Sequence, residues 1–198
     1  MIDAVRRALQ ATSAVELLAI ALGLIYVVLI YRRNRFGWVA GAGSSMIYVY
    51  LAARARLPMQ SLLQFYYVVM SVYGWYHWTR AQGQQSGGIG LWPLRKHALA
   101  MVAIVSLSLA TAQWLRLETH AAWPILDSLT TWTSLYATWL VARLKLENWL
   151  YWIGADLVMA YLFTAQGYPF TTALFLTYAT IAVFGFREWL RRYRLQTP

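Results

Sequence analysis

Residues 62–80 read LLQFYYVVMSVYGWYHWTR, and residues 173–191 read ALFLTYATIAVFGFREWLR. A shift of 111 lays one on the other, so that Tyr67 falls on Tyr178, Gly74 on Gly185, Trp78 on Trp189 and Arg80 on Arg191. The register runs upstream without a gap, with Trp38 on Trp149, Gly43 on Gly154, Tyr50 on Tyr161 and Pro58 on Pro169. Residues 16–80 and 127–191 are therefore two copies of one unit. Each copy holds three long apolar segments, and 81–126 holds a linker and one more. This predicts an all-α membrane protein with seven transmembrane helices in 3+1+3 order, the pattern of a transporter. An odd number of spans separates the copies, so the second enters the membrane in the same sense as the first and the repeat is parallel.

Composition agrees. The chain has 198 residues, 60% hydrophobic and 12% charged, too few charges to solvate a soluble domain of this length. A spanning helix takes about 20 apolar residues, so seven use roughly 140 and leave short connections. The spans are expected near 13–31, 36–53, 59–79, 98–116, 124–142, 148–164 and 170–187, with residues 1–198 as a single integral membrane domain. Residues 1–12 are polar and do not read as a secretory signal. The absence of cysteine excludes disulfides and thiolate chemistry. His77, His97 and His120 are scattered without metal-ligand spacing, so no metal or other cofactor is expected.

The net charge of +10 is a matter of topology rather than nucleic-acid binding. With alternating spans, twelve of the 17 basic residues fall on one side: Arg32, Arg33, Arg35, Arg80, Arg95, Lys96, Arg143, Lys145, Arg187, Arg191, Arg192 and Arg194. Arg6, Arg7, Arg54, Arg56 and Arg116 fall on the other. The positive-inside rule then puts the C-terminus in the cytoplasm and the N-terminus outside. The stretch 80–97, RAQGQQSGGIGLWPLRKH, reads as a flexible cytoplasmic linker. Pro58, Pro124 and Pro169 suit first turns of helices, where a missing amide donor does no harm, and Ser13, the repeat mate of Pro124, is an alternative helix opener.

Polar groups inside the spans need a reason, because an Asp, Lys or Arg at mid-helix costs about 2.5–3.5 kcal/mol on insertion scales. Trp149, Trp152 and Asp156 stand at i, i+3 and i+7, so two indoles and a carboxylate share one helical face, with Asp156 near the midplane. Such a face suits a flat, preferably cationic ligand, through stacking, cation–π attraction and charge pairing. The alternative is an ion pair with another helix, but no Lys or Arg is expected at that depth. Gln64, Tyr67, Ser71, Trp75 and Trp78 form a second stripe. Gln64 serves either a ligand or interhelical hydrogen bonding. Tyr178, the repeat mate of Tyr67, closes the site or packs. Trp78 and Trp189, beside arginines, are expected in an interfacial belt. Glu16 and Asp127 suit first turns by the helix dipole, and Glu147 or Asn148 is expected to cap span 6. Gln113 lies in the span outside both copies and has no clear assignment. Walker, HExxH and GxSxG motifs are absent, so no enzyme and no catalytic residues are expected.

The stretch 62–80, with its LLQ…YGWYxWxR pattern, resembles the third core helix of the PnuC family. The stretch 146–175, LENWLYWIGADLVMAYLFTAQGYPFTTALF, is similar to that family's ENWLxW helix and the span after it. The resemblance implies a SWEET-like fold, a homotrimer in the bacterial inner membrane, and facilitated diffusion of a vitamin that is later trapped by phosphorylation. It places the family's WxxW signature on Trp149 and Trp152 and its glutamine on Gln64. Nicotinamide riboside, or its mononucleotide, is the implied substrate; because Asp156 stands where riboside carriers often have an amide and a carboxylate suits either cation, thiamine comes next, and neutral riboflavin is less favoured. The expected site is enclosed by spans 3, 6 and 7, with spans 1 and 2 on the other faces, and one three-helix unit rocks against the other. A non-transporting receptor or scaffold is the alternative from another class.

Overall fold

The structure is a computed structural model and describes residues 14–54, 58–82, 88–118 and 123–196. These form seven α-helices, and among them the only β pairing is an isolated bridge between Gly90 and Lys145. The helices are α1 Ala14–Tyr31, α2 Phe36–Arg54, α3 Pro58–Gln82, α4 Leu94–Glu118, α5 Pro124–Ala142, α6 Asn148–Ala165 and α7 Pro169–Gln196. Each stands where the repeat predicts a span, and α3, α5 and α7 begin at the three prolines. Ser13, Arg6, Arg7, Arg56 and His120 lie outside the described residues.

The chain divides into two compact units, Met1–Gln84 and Gln85–Pro198. In the first, α2 packs on both α1 and α3. In the second, α5 packs on α4 and α6, and α6 packs on α7. By length and composition α1, α2, α4 and α7 are apolar enough to cross a membrane. The remaining three are richer in Trp, Tyr and polar side chains, and two of them, α3 and α6, carry seven of the eight expected site residues.

The repeat is written into the backbone of each unit. After α1, the Arg33 and Asn34 amides donate to the Ile30 and Leu29 carbonyls at 2.9 and 2.8 Å. After α5, the Leu144 and Lys145 amides donate to Val141 and Leu140 at 3.0 and 2.9 Å. Both patterns are Schellman caps, which place one residue in the left-handed region. Arg33 has φ 60° and Leu144 φ 54°, and they are repeat mates. Non-glycine residues rarely sit there, so the same conformation at matched positions marks a turn specified twice.

The linker expectation needs correction. Residues 83–87 lie outside the described residues, but the segment from Gly88 to Pro93 is pinned rather than flexible. The Gly90 amide donates to the Leu144 carbonyl, and the Leu146 amide donates to the Gly90 carbonyl, each at 3.0 Å. The Ile89 amide donates to Gln196 Oε1 at 2.9 Å. A Cβ at position 90 would meet only the tip of the Lys145 side chain, Nζ at 2.8 Å, which can move aside.

Candidate functional site

Within the second unit, Trp149 stands in the first turn of α6 and is 3% exposed. Its ring fills the space beside Gly185 of α7, where a Cβ would come within 2.7 Å of the indole. Trp189, one turn further along α7, closes on it edge-to-face at 5.6 Å and 87°. The first unit repeats this lock: Trp38 of α2 occupies the slot at Gly74 of α3, and Trp78 meets it at 5.5 Å and 87°. Trp78 and Trp189 are 1% and 0% exposed, so the belt expectation is overturned for both. The glycine one turn before each opens a slot for the facing indole, and edge-to-face geometry favours the pair.

Trp152 and Asp156 lie further along α6. Trp152 is half-buried, and Asp156 is 7% exposed, with no hydrogen bond or ion pair to its carboxylate among the described residues. The repeat separates these two from Trp149. At a shift of 111, Trp149 matches Trp38, but Trp152 matches Gly41 and Asp156 matches Ser45. The shared residue builds the unit, whereas the unshared ones supply an indole and an acid that the first copy lacks. Tyr178 on α7 is half-buried and edge-on to Phe175 at 6.2 Å, and Phe175 stacks on Phe163 of α6 at 5.5 Å.

Within the first unit, Gln64 and Tyr67 are half-buried on α3. Ser71 is buried and its hydroxyl donates to the Tyr67 carbonyl at 2.8 Å, so that hydrogen is used within the helix. Trp75 is edge-on to Phe36 at 5.4 Å, with the Arg35 guanidinium 5.4 Å from its ring. These contacts tie Trp75 to the turn between α1 and α2.

Sequence reasoning missed a cluster at the start of α6. Glu147 Oε1 accepts the Trp92 amide at 2.6 Å and lies 3.3 Å from His97 Nε2. His97 Nδ1 is 3.0 Å from the Tyr151 hydroxyl, and the two rings stack at 5.8 Å. Trp92 meets Trp139 at 4.8 Å, and Tyr136 meets Tyr151 at 5.0 Å. Glu147 and Asn148 therefore do not cap α6 through their side chains. Glu147 reaches sideways to another segment, and the Asn148 amide donates to the Lys145 carbonyl at 2.6 Å. Burial lowers the Lys145 ammonium pKa, while Glu147 acts in the opposite direction. The only sequence signal was an acid and an aromatic pattern beside the linker, and the partners come from segments about 55 residues apart.

The family model described as nicotinamide mononucleotide transporter matches residues 13–191. The chain belongs to this family. The riboflavin/roseoflavin transporter RibM of Streptomyces davaonensis is 28% identical over 87% of the chain and 83% of its own length. The nicotinamide riboside transporter PnuC of Escherichia coli is 28% identical over 70% of the chain and 69% of its own. The crystal structure of the vitamin B3 transporter PnuC matches the fold with a TM-score of 0.76 at 21% identity, covering 99% of this chain and 88% of that one. The protein is thus a multi-pass membrane protein of the PnuC family of vitamin transporters, whose named relatives here carry small molecules rather than transform them.

Proposed function

We propose that this protein takes up nicotinamide riboside by facilitated diffusion through alternating access. The observation that carries this reading is Asp156, a buried carboxylate without a partner among the described residues, on the same helix as the half-buried indole of Trp152. A lone acid in a membrane helix is costly, and a cationic heteroaromatic ring would relieve the cost by charge pairing while stacking on the indole. In this assignment Trp152 and Asp156 touch the vitamin. Trp149, committed to Gly185 and Trp189, forms the wall behind them, and Tyr178 borders them from α7. In the first unit, Gln64 and Tyr67 offer an amide and a phenol to polar groups, while Ser71 and Trp75 shape α3. All 198 residues would act as one domain in the bacterial inner membrane, with the N-terminus outside, the C-terminus cytoplasmic, and three copies assembled as a homotrimer.

Thiamine, also a cation, fits the same acid. Riboflavin is the second reading, and the RibM relative, which matches more of the chain than the E. coli protein, favours it. The test is equilibrium binding by tryptophan fluorescence for nicotinamide riboside, its mononucleotide, thiamine and riboflavin, followed by uptake into liposomes without ATP. Saturable riboside binding and flux, both lost in Trp152→Ala, are expected. Riboflavin binding that Asp156→Asn leaves unchanged would move the assignment to the neutral flavin. Binding without flux would leave a receptor.

A further inference from the structure

The cluster around Glu147 lies at the root of the helix that carries Trp152 and Asp156, and it has a distinctive geometry. His97, on α4, touches two residues one turn apart at the start of α6: Tyr151 through Nδ1 at 3.0 Å and, at an ion-pair distance of 3.3 Å without hydrogen-bond geometry, Glu147, the residue just before the helix, through Nε2. Glu147 is also held by the backbone amide of Trp92. Trp92 and Tyr136 pack against the cluster, with Tyr136 edge-on to Tyr151 and 6.5 Å from Trp92. Two grips at i and i+4, made from outside the helix, fix its rotation about its own axis. A rotation of about 20° would carry a side-chain tip at roughly 5–6 Å from the axis through about 2 Å. Binding geometry tolerates only about 0.5 Å. We propose that Glu147, clamped by Trp92 and His97, is the positioning residue that aims the Trp152–Asp156 face, and that protonation of His97 tightens the clamp.

Chemistry supports the second half of this proposal. Imidazole is the side chain that changes charge near neutral pH. Protonated, His97 donates from both nitrogens, to the Glu147 carboxylate and to the Tyr151 oxygen, and gains a charge pair with Glu147. Neutral, it serves one of these contacts as donor and the other as acceptor. The other charged and titratable groups facing this cluster are Lys96 of α4, 4.7 Å from the Trp92 ring, and Tyr136 and Arg143 at the end of α5, with Arg143 5.7 Å from the Trp139 ring. Lys145, in the turn, interacts with Glu147, Arg143 and Lys96. Lys145 is attracted by the carboxylate with which His97 pairs and repelled by Arg143 and Lys96. Glu147 Oε2 is buried with no hydrogen-bond partner, so the carboxylate has acceptor capacity to spare.

This inference rests on the transport reading, and one experiment separates the two. The dissociation constants of nicotinamide riboside, thiamine and riboflavin are measured for the full-length protein from pH 5.5 to 8, alongside His97→Gln, Glu147→Gln and Tyr151→Phe. The readout is the ratio of variant to wild-type constant at each pH. For His97→Gln, that ratio is expected to be about tenfold at pH 5.5 and to fall towards about twofold at pH 8. Glu147→Gln should weaken binding at every pH and flatten the His97 contribution. Tyr151→Phe, which removes only a hydroxyl, keeps the test open should either other variant fold poorly; it should give a smaller loss with the same pH trend. A ratio constant with pH, or no loss at all, overturns the proposal while the transport reading stands. If the wild type binds none of the three vitamins, the transport reading falls and takes this inference with it.

Discussion

The two units share a skeleton and differ in what hangs on it. The turn after α1 and the turn after α5 have the same hydrogen bonds and the same left-handed residue, and both lead into an indole locked against a glycine. In the second unit, Gly90 bridges the turn and Glu147 and His97 clamp the next helix. The second unit also places Trp152 and Asp156 where the first has Gly41 and Ser45. Duplication kept what folds the unit, and divergence supplied the chemistry. The two classes of residue should therefore fail in different ways.

The largest effects should come from the shared lock. Trp38→Ala and Trp149→Ala each empty a core slot, and losses of about 3–5 kcal/mol are expected, read as a collapse in thermal stability of the purified protein. Equal losses in the two units would sharpen the comparison, and a mild effect at Trp149 would return it to the ligand. Next come Gly74→Ala and Gly185→Ala, where the added methyl meets the indole and costs about 1–3 kcal/mol by overpacking. The unshared residues should behave in the opposite manner. Trp152→Ala and Asp156→Asn are expected to leave the melting temperature within a few degrees while weakening vitamin binding about 10- to 100-fold. Titrations of both variants beside their melting curves check this, and a stability loss without a binding loss would break the division.

The smallest effect concerns the matched left-handed residues. Arg33→Gly relieves backbone strain at a half-buried site outside the core and should stabilise by about 0.5–1 kcal/mol. Leu144→Gly relieves the same strain but removes a side chain that is 3% exposed, so it should destabilise on balance. A melting-temperature comparison of the two variants is sufficient. Opposite signs at φ values only 6° apart would show that the turns share geometry but differ in burial.

Much of this was legible in the chain. Apolar length gave the seven helices, the 111-residue register gave the two copies, and proline gave three helix starts, because each depends on local composition or on self-comparison. The i, i+3, i+7 spacing put Trp149, Trp152 and Asp156 on one face, since helical periodicity is a local property. That spacing did not reveal that Trp149 is consumed by Gly185 and Trp189, residues of another helix, nor that Trp78 and Trp189 are core rather than belt. An indole beside an arginine at a helix end reads the same whether it faces lipid or a neighbouring glycine. The linker was misread for a similar reason. Its Gly and Gln content is that of a flexible segment, yet Gly90 meets a turn over 50 residues away, whose free carbonyl and amide it satisfies. The sequence by itself determined the helices, their count and their duplication, which follow from periodicity and hydrophobic length. Only the tertiary structure decided which aromatic rings are wall and which remain available, and which carboxylate is clamped and which is left without a partner, because those are properties of contacts between distant segments.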